Sequence, residues 1–126
     1  MAKENKKRLM LVEDNEDFGG VLCDLLKKQG FEVIYFVDAA EALNYPENGH
    51  HIDIALVDLM DDLSDSVSGL DVAKKVRENN SGAKIFIMSG IELEALSIVN
   101  HLIEKKELQG YLKKPFNFAD LKELIT

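Results

Sequence analysis

The sequence has a single cysteine, Cys23, so no internal disulfide can form, and the chain suits a reducing compartment. It has no long apolar run. Nothing approaches the roughly 18 apolar residues of a membrane span, and the apolar stretch at 9–12 is too short for a signal-peptide core. Positive charge is scarce: 15 Lys and Arg stand against 23 Asp and Glu, a formal net charge of −8. Surfaces that bind nucleic acid need clustered Lys and Arg to neutralise phosphates, so this balance argues against direct nucleic-acid binding. The one basic cluster, Lys3, Lys6, Lys7 and Arg8, reads as a solvated tail over residues 1–7. Repeats, low-complexity tracts and linkers are all missing. A cytoplasmic protein without a membrane segment is the simplest reading.

What is there is enough apolar material for one core: 46% of 126 residues, a single domain by length. Apolar runs of strand length fall at 9–12, 33–37, 52–57 and 85–88, with a weaker one at 110–112. Helix-period segments lie between them. Phe18, Val21, Leu22, Leu25 and Leu26 form one stripe, and Gly30 stands where a left-handed helix end is expected. Asp38 and Glu41 read as a capping-box variant opening a second helix. Leu70, Ala73 and Val76 mark a third, residues 93–106 a fourth, and Phe118, Leu121, Leu124 and Ile125 a fifth. Five strands alternating with five helices predict an α/β domain with a parallel sheet. The strand runs are nearly all apolar rather than alternating, as strands covered on both faces are. The chain ends at Thr126, about ten residues into its last helix, an abrupt end that fits the cut edge of a longer protein.

The chemistry-bearing residues cluster at predicted strand ends. Glu13 and Asp14 follow the first strand, Asp58 ends the third, Ser89 ends the fourth, and Lys114 follows the fifth, just before Pro115. In open α/β sheets the ligand crevice lies outside those carboxyl ends, where strand order reverses. For the ends of strands one and three to meet, the two must be neighbours, which with right-handed crossovers favours the order 2-1-3-4-5. Three converging carboxylates repel one another, and a hard divalent cation such as Mg²⁺ relieves that repulsion. A carboxylate left partly free is then a nucleophile toward phosphorus, while a lysine ammonium and a hydroxyl stabilise the transferred group. Singly, each of these residues reads as a turn, cap or strand exit; together, in order, they make a site.

The segments Leu11-Val12-Glu13-Asp14-Asn15, Leu56-Val57-Asp58-Leu59-Met60, Met88-Ser89-Gly90 and Tyr111-Leu112-Lys113-Lys114-Pro115-Phe116 resemble the response-regulator receiver family of two-component signalling, across essentially the whole chain. The resemblance implies a flavodoxin-like fold with helices on both faces of the sheet. It implies that Asp58 takes a phosphoryl group from a histidine kinase or phosphotransfer protein. It further implies Mg²⁺ held by Asp14, Asp58 and the Met60 carbonyl with Glu13 acting through water, phosphoryl contacts from Ser89 and Lys114, and Tyr111 as an aromatic switch. A cis peptide at Lys114–Pro115 is expected with it. Such a domain is no conventional turnover enzyme; it catalyses its own phosphorylation and dephosphorylation.

Two segments depart from the family pattern. Residues 60–69 lack the usual proline and carry about three extra residues, with Asp61, Asp62 and Asp65 beside the site; this reads either as a solvated insertion or as a loop whose acids tune metal affinity or partner choice. Residues 100–106 are expected to lengthen helix four. The apolar residues of that helix (Leu93, Ala95, Leu96, Ile98, Val99, Leu102 and Ile103) cover more of its circumference than packing on a sheet needs. The surplus is either covered by the connection to strand five or exposed as a dimer or effector face of helix four, strand five and helix five. Met60 and Ile91, both apolar, predict slow hydrolysis of the acyl phosphate, since neither orients a water.

Rival functions fit less well. A flavodoxin-type cofactor binder needs a Ser/Thr/Gly-rich phosphate loop where this chain has Glu13-Asp14-Asn15-Glu16-Asp17, and an Asp-nucleophile phosphatase needs a second Asp where Met60 stands. A partner-binding relative that is never phosphorylated would lack site residues present here. Cys23 reads as packing, His50 and His51 as loop, and His101 as helix surface.

Overall fold

The computed structural model describes residues 6–47, 50–59 and 68–126. Strands β1 (Arg8–Val12), β2 (Glu32–Phe36), β3 (Ile54–Asp58), β4 (Lys84–Ser89) and β5 (Gly110–Lys113) alternate with helices α1 (Glu16–Lys28), α2 (Ala39–Glu47), α3 (Gly69–Asn79), α4 (Ser97–Glu104) and α5 (Phe118–Ile125). The sheet is parallel throughout, in the order β2-β1-β3-β4-β5. Both the α/β class and the strand order agree with the sequence.

Alternation along each strand sorts the core into two layers. Met10, Val12, Ala55, Val57, Ile85 and Ile87 face one way, against Ala42 of α2, Val72 and Val76 of α3 and Val99 of α4. Leu9, Leu11, Ile54, Leu56, Phe86 and Met88 face the other, against Leu22 and Leu26 of α1 and Leu121 and Ile125 of α5. The apolar runs are therefore continuous because each residue has a helix layer to meet.

Local chemistry fixes the ends of the elements. Asn15 caps α1, its side chain accepting from the Phe18 N–H at 3.1 Å, and Gly30 ends it with φ +98. Asp38 accepts from the Ala40 N–H at 2.7 Å at the start of α2, and Asn117 from the Asp120 N–H at 2.9 Å in α5. The Ser68 N–H donates to Asp71 at 2.9 Å where α3 begins.

Two helix readings need correction. The buried face of α1 consists of Gly19, Leu22, Cys23 and Leu26, whereas Val21 is 62% exposed. The face is rotated from the apolar stripe, and a tyrosine ring occupies the space beside Gly19. Cys23 packs in the core as expected.

Residues 93–106 do not form one lengthened helix. A 3₁₀ turn (Leu93–Ala95) is followed by a break at Leu96 (φ −111, ψ 69), and α4 proper has 8 residues. The Asn100 side chain donates to the Leu93 carbonyl at 2.9 Å, which holds the break while Leu93 and Leu96 turn onto the core. At the far end Lys106 has φ 63, its N–H donates to Ile103 O at 3.0 Å and the Glu107 N–H to Leu102 O at 2.9 Å, a Schellman stop. Lys occupies the position usually filled by glycine, so the sequence carries no stop signal there. Leu93, Leu96, Leu102 and Ile103 all pack on the core, while Ile98 is 51% exposed.

His50 stacks on Tyr45 (4.1 Å between ring centres), His51 meets Asp53 at 2.7 Å, and both are exposed, as is His101. No helix among the described residues is long and apolar enough to cross a membrane.

A left-handed conformation is unfavourable for lysine and free of strain for glycine. Lys106→Gly is expected to raise the unfolding free energy by about 0.5–1 kcal/mol in urea titrations, after allowing for the greater freedom of glycine in the unfolded chain.

Candidate functional site

Because β1 lies between β2 and β3, the loop leaving β1 and the last residue of β3 share one crevice at the carboxyl ends of the strands. Glu13 is fully buried. Its N–H donates to Phe36 O at 3.0 Å, its carbonyl accepts from the Tyr35 hydroxyl at 2.9 Å, and its Oε2 accepts from the Asn15 N–H at 3.0 Å. Asp14 is exposed beside it, and Asp58 is buried at the end of β3. One carboxylate oxygen from each of Glu13, Asp14 and Asp58 lies within 4.8 Å of the others.

Lys114 enters from β5. Its ammonium pairs with both Glu13 Oε1 and Asp58 Oδ2 and stands 4.9 Å above the ring of Phe18, itself edge-on to Phe116. The peptide between Lys114 and Pro115 is cis, as expected. The Lys114 N–H donates to the Ser89 carbonyl at 2.7 Å, tying β5 to β4 beside Asp58. Ser89 is buried, its hydroxyl accepting from the Ile91 N–H at 3.1 Å. Tyr111 is half-buried with its hydroxyl against the carbonyls of Ser89, at 3.2 Å, and Ile91. On the other side of Asp58, the close approach of α3 requires Gly69: a Cβ there would overlap the Asp58 carbonyl oxygen. Met60, expected to offer its carbonyl, lies outside the described residues, as do residues 61–67 of the acidic insertion at 61–68.

Burial is the main reason the Glu13 carboxyl is pushed up to about 7, against the opposing pull of Lys114 and the Asn15 N–H. Burial also works against the Lys114 charge, but its bonds to Asp58 and Glu13 and their negative charge outweigh that, and its pKa is raised. Sequence reasoning brought Glu13, Asp14, Asp58, Ser89 and Lys114 to one place and the structure puts them there. It missed Tyr35, Phe18 and Asn15, which position those groups. Asn15 was legible as a helix cap; the other two depend on contacts across the fold.

Fold and site together define a parallel α/β protein with an acid–lysine crevice at its strand ends. The chain belongs to the response regulator receiver domain family, whose pattern it matches over residues 9–126, a family of phosphoacceptor signalling domains. It is 29% identical over 119 residues to the polar-differentiation response regulator DivK of Brucella ovis, covering 94% of this chain and 93% of that protein. It is 29% identical over 118 residues to a cyclic di-GMP phosphodiesterase of Thermotoga maritima, covering 94% of this chain but 30% of that protein. It likewise spans 45% of the length of the Escherichia coli transcriptional regulatory protein CpxR, with 30% identity. Among solved structures it resembles a CheY-like receiver domain of Methanospirillum hungatei (TM-score 0.80, 26% identity, 96% and 91% of the two chains). It also resembles the response regulator TrrA of Thermotoga maritima solved in complex with Mg²⁺ and BeF (TM-score 0.73, 26% identity, 93% and 94% of the two chains).

The pKa of Glu13 generates a prediction. A carboxyl raised on folding favours the folded state most below its ordinary value near 4.5, and that contribution is lost as the pH rises toward 7. In chelator-treated protein, wild type is therefore expected to lose stability relative to Glu13→Gln between about pH 5 and pH 7.5, measured by urea denaturation.

Proposed function

We propose that this chain is a Mg²⁺-dependent phosphoryl acceptor, with Asp58 as the residue phosphorylated by the phosphohistidine of a histidine kinase or phosphotransfer protein. The observation that carries this reading is the Lys114 ammonium set between Glu13 and Asp58, with the Asp14 carboxylate in the same cluster. An all-oxygen donor set with one member open to solvent fits a hard cation that keeps some of its waters. Asp14, Asp58 and the Met60 carbonyl would hold it, and buried Glu13 would act through water while orienting Lys114. When bound, Mg²⁺ supplies counter-charge to the carboxylates and to the phosphoryl oxygens.

The chain's own groups do the rest. The Asp58 carboxylate attacks phosphorus as the bond to the histidine nitrogen breaks. Lys114 takes up the charge on an equatorial phosphoryl oxygen, and the Ser89 hydroxyl donates to another. Ile91, next to the site, has no polar group to orient a hydrolytic water, which favours a long-lived acyl phosphate. The domain is a signalling module that catalyses its own phosphorylation and dephosphorylation, and a cytoplasmic location fits that role.

The output runs through the Ser89 carbonyl, which meets both the Lys114 N–H and the Tyr111 hydroxyl. Drawing Ser89 toward a phosphoryl group would shift the population of Tyr111 positions rather than create a new state. The face of α4, β5 and α5 would then meet a second copy or an effector protein, with Ile98 as its exposed apolar contact. Direct nucleic-acid binding by this domain remains unsupported at its charge of −8.

With acetyl phosphate and Mg²⁺, mass spectrometry is expected to find one phosphate on Asp58 and none in Asp58→Asn. Asp14→Ala is expected to raise the Mg²⁺ requirement by at least about tenfold and Glu13→Ala by less; equal losses would overturn those roles. Ile98→Lys is expected to keep fold and phosphorylation while abolishing dimer or partner binding. Leu102→Lys, on the core side of the same helix, is expected to destabilise by about 2 kcal/mol or more.

A further inference from the structure

The loop that presents the acidic pair is anchored by a residue that the charge pattern does not point to. Tyr35, near the end of the edge strand β2, lies opposite Leu11 in the parallel register. Its ring packs on the Leu9, Leu11 and Cys23 layer, and its hydroxyl donates to the Glu13 carbonyl at 2.9 Å. The ring reaches that carbonyl only because residue 19 has no side chain. A Cβ at Gly19 would overlap the Tyr35 hydroxyl and lie 2.5 Å from its Cζ. Gly19 is buried in α1, where glycine is unfavourable for the helix, so its fit to the ring is the physical reason it is tolerated there.

We infer that Tyr35 is a positioning residue for the cation site: its hydroxyl, seated in the notch left by Gly19, fixes the Glu13–Asp14 peptide and thereby aims Asp14. The Glu13 carbonyl and the Asp14 N–H belong to one rigid plane. On the strand side the Glu13 N–H is held by Phe36 O at 3.0 Å. On the helix side Asn15 is fixed through its N–H to Glu13 Oε2 and through its cap on Phe18. Between these anchors, rotation of the Glu13–Asp14 plane is the remaining freedom, and the tyrosine hydroxyl removes it. A misdirected carboxylate weakens a cation that demands near-ideal geometry.

The inference rests on Asp14 being a Mg²⁺ ligand, so the test measures Mg²⁺ binding itself. Tyr35→Phe keeps the ring and deletes only the hydroxyl. Calorimetric titration with Mg²⁺ is expected to give an affinity about threefold to tenfold weaker than wild type, with any phosphorylation deficit confined to sub-saturating Mg²⁺. Gly19→Ala is expected to weaken Mg²⁺ binding in the wild-type background by displacing the ring. In a Tyr35→Ala background the same change is expected to leave affinity unaltered, because no ring remains to displace. Unchanged Mg²⁺ affinity in folded Tyr35→Phe, even with a lower unfolding midpoint, would reduce Tyr35 to a packing role and overturn the inference. Wild-type protein that binds no Mg²⁺ would instead overturn the cation site, and this inference with it.

Discussion

Three carboxylates within 4.8 Å of one another repel strongly unless positive charge stands among them, and the architecture of this domain follows from meeting that constraint. Lys114 meets it within the chain by pairing with both Glu13 and Asp58. The pairing works because Glu13 is buried: in low dielectric its charge is costly alone and strongly attracted to the ammonium. The Phe18 ring beneath the ammonium adds a cation–π contact. The cluster is held in tension, with a carboxyl pushed toward neutrality and a lysine held charged.

Such a cluster needs a rigid support, and the sheet supplies it. The order β2-β1-β3-β4-β5 sets the ends of β1 and β3 side by side. Both faces are sealed by helices, so the strands cannot slip register without moving a whole apolar layer to the wrong side. Site groups then come from strand ends whose positions are fixed by the core. Asp14 in the crevice and Ile98 on α4 stay exposed on that rigid frame.

The connection from site to surface is short. The Ser89 carbonyl receives the Lys114 N–H and lies 3.2 Å from the Tyr111 hydroxyl, so one peptide group touches the lysine strand, the serine and the aromatic ring. Tyr111 in turn packs against the layer that includes Val99 of α4. Ser89, Tyr111 and α4 are thus joined by packed side chains rather than separated by a gap.

The sequence by itself determined the class, the strand order and the acid–lysine cluster. Continuous apolar runs require two covered faces, and the residues at the strand ends have few other ways to be compatible with one another. Its apolar pattern misled in two places. Val21 belongs to a clean stripe yet faces solvent, on a helix whose buried face runs through Gly19, where Tyr35, distant in sequence, fills the notch. Residues 93–106 read as one long helix because nothing there breaks the period. The stop at Lys106 comes from backbone hydrogen bonds that a lysine adopts under tertiary constraint, and the break at Leu96 from leucines drawn onto the sheet. Only the tertiary structure decided these points, and with them the burial of Glu13 and the position of Tyr35. Each depends on which distant side chains share a space, and periodicity along the chain carries no record of that.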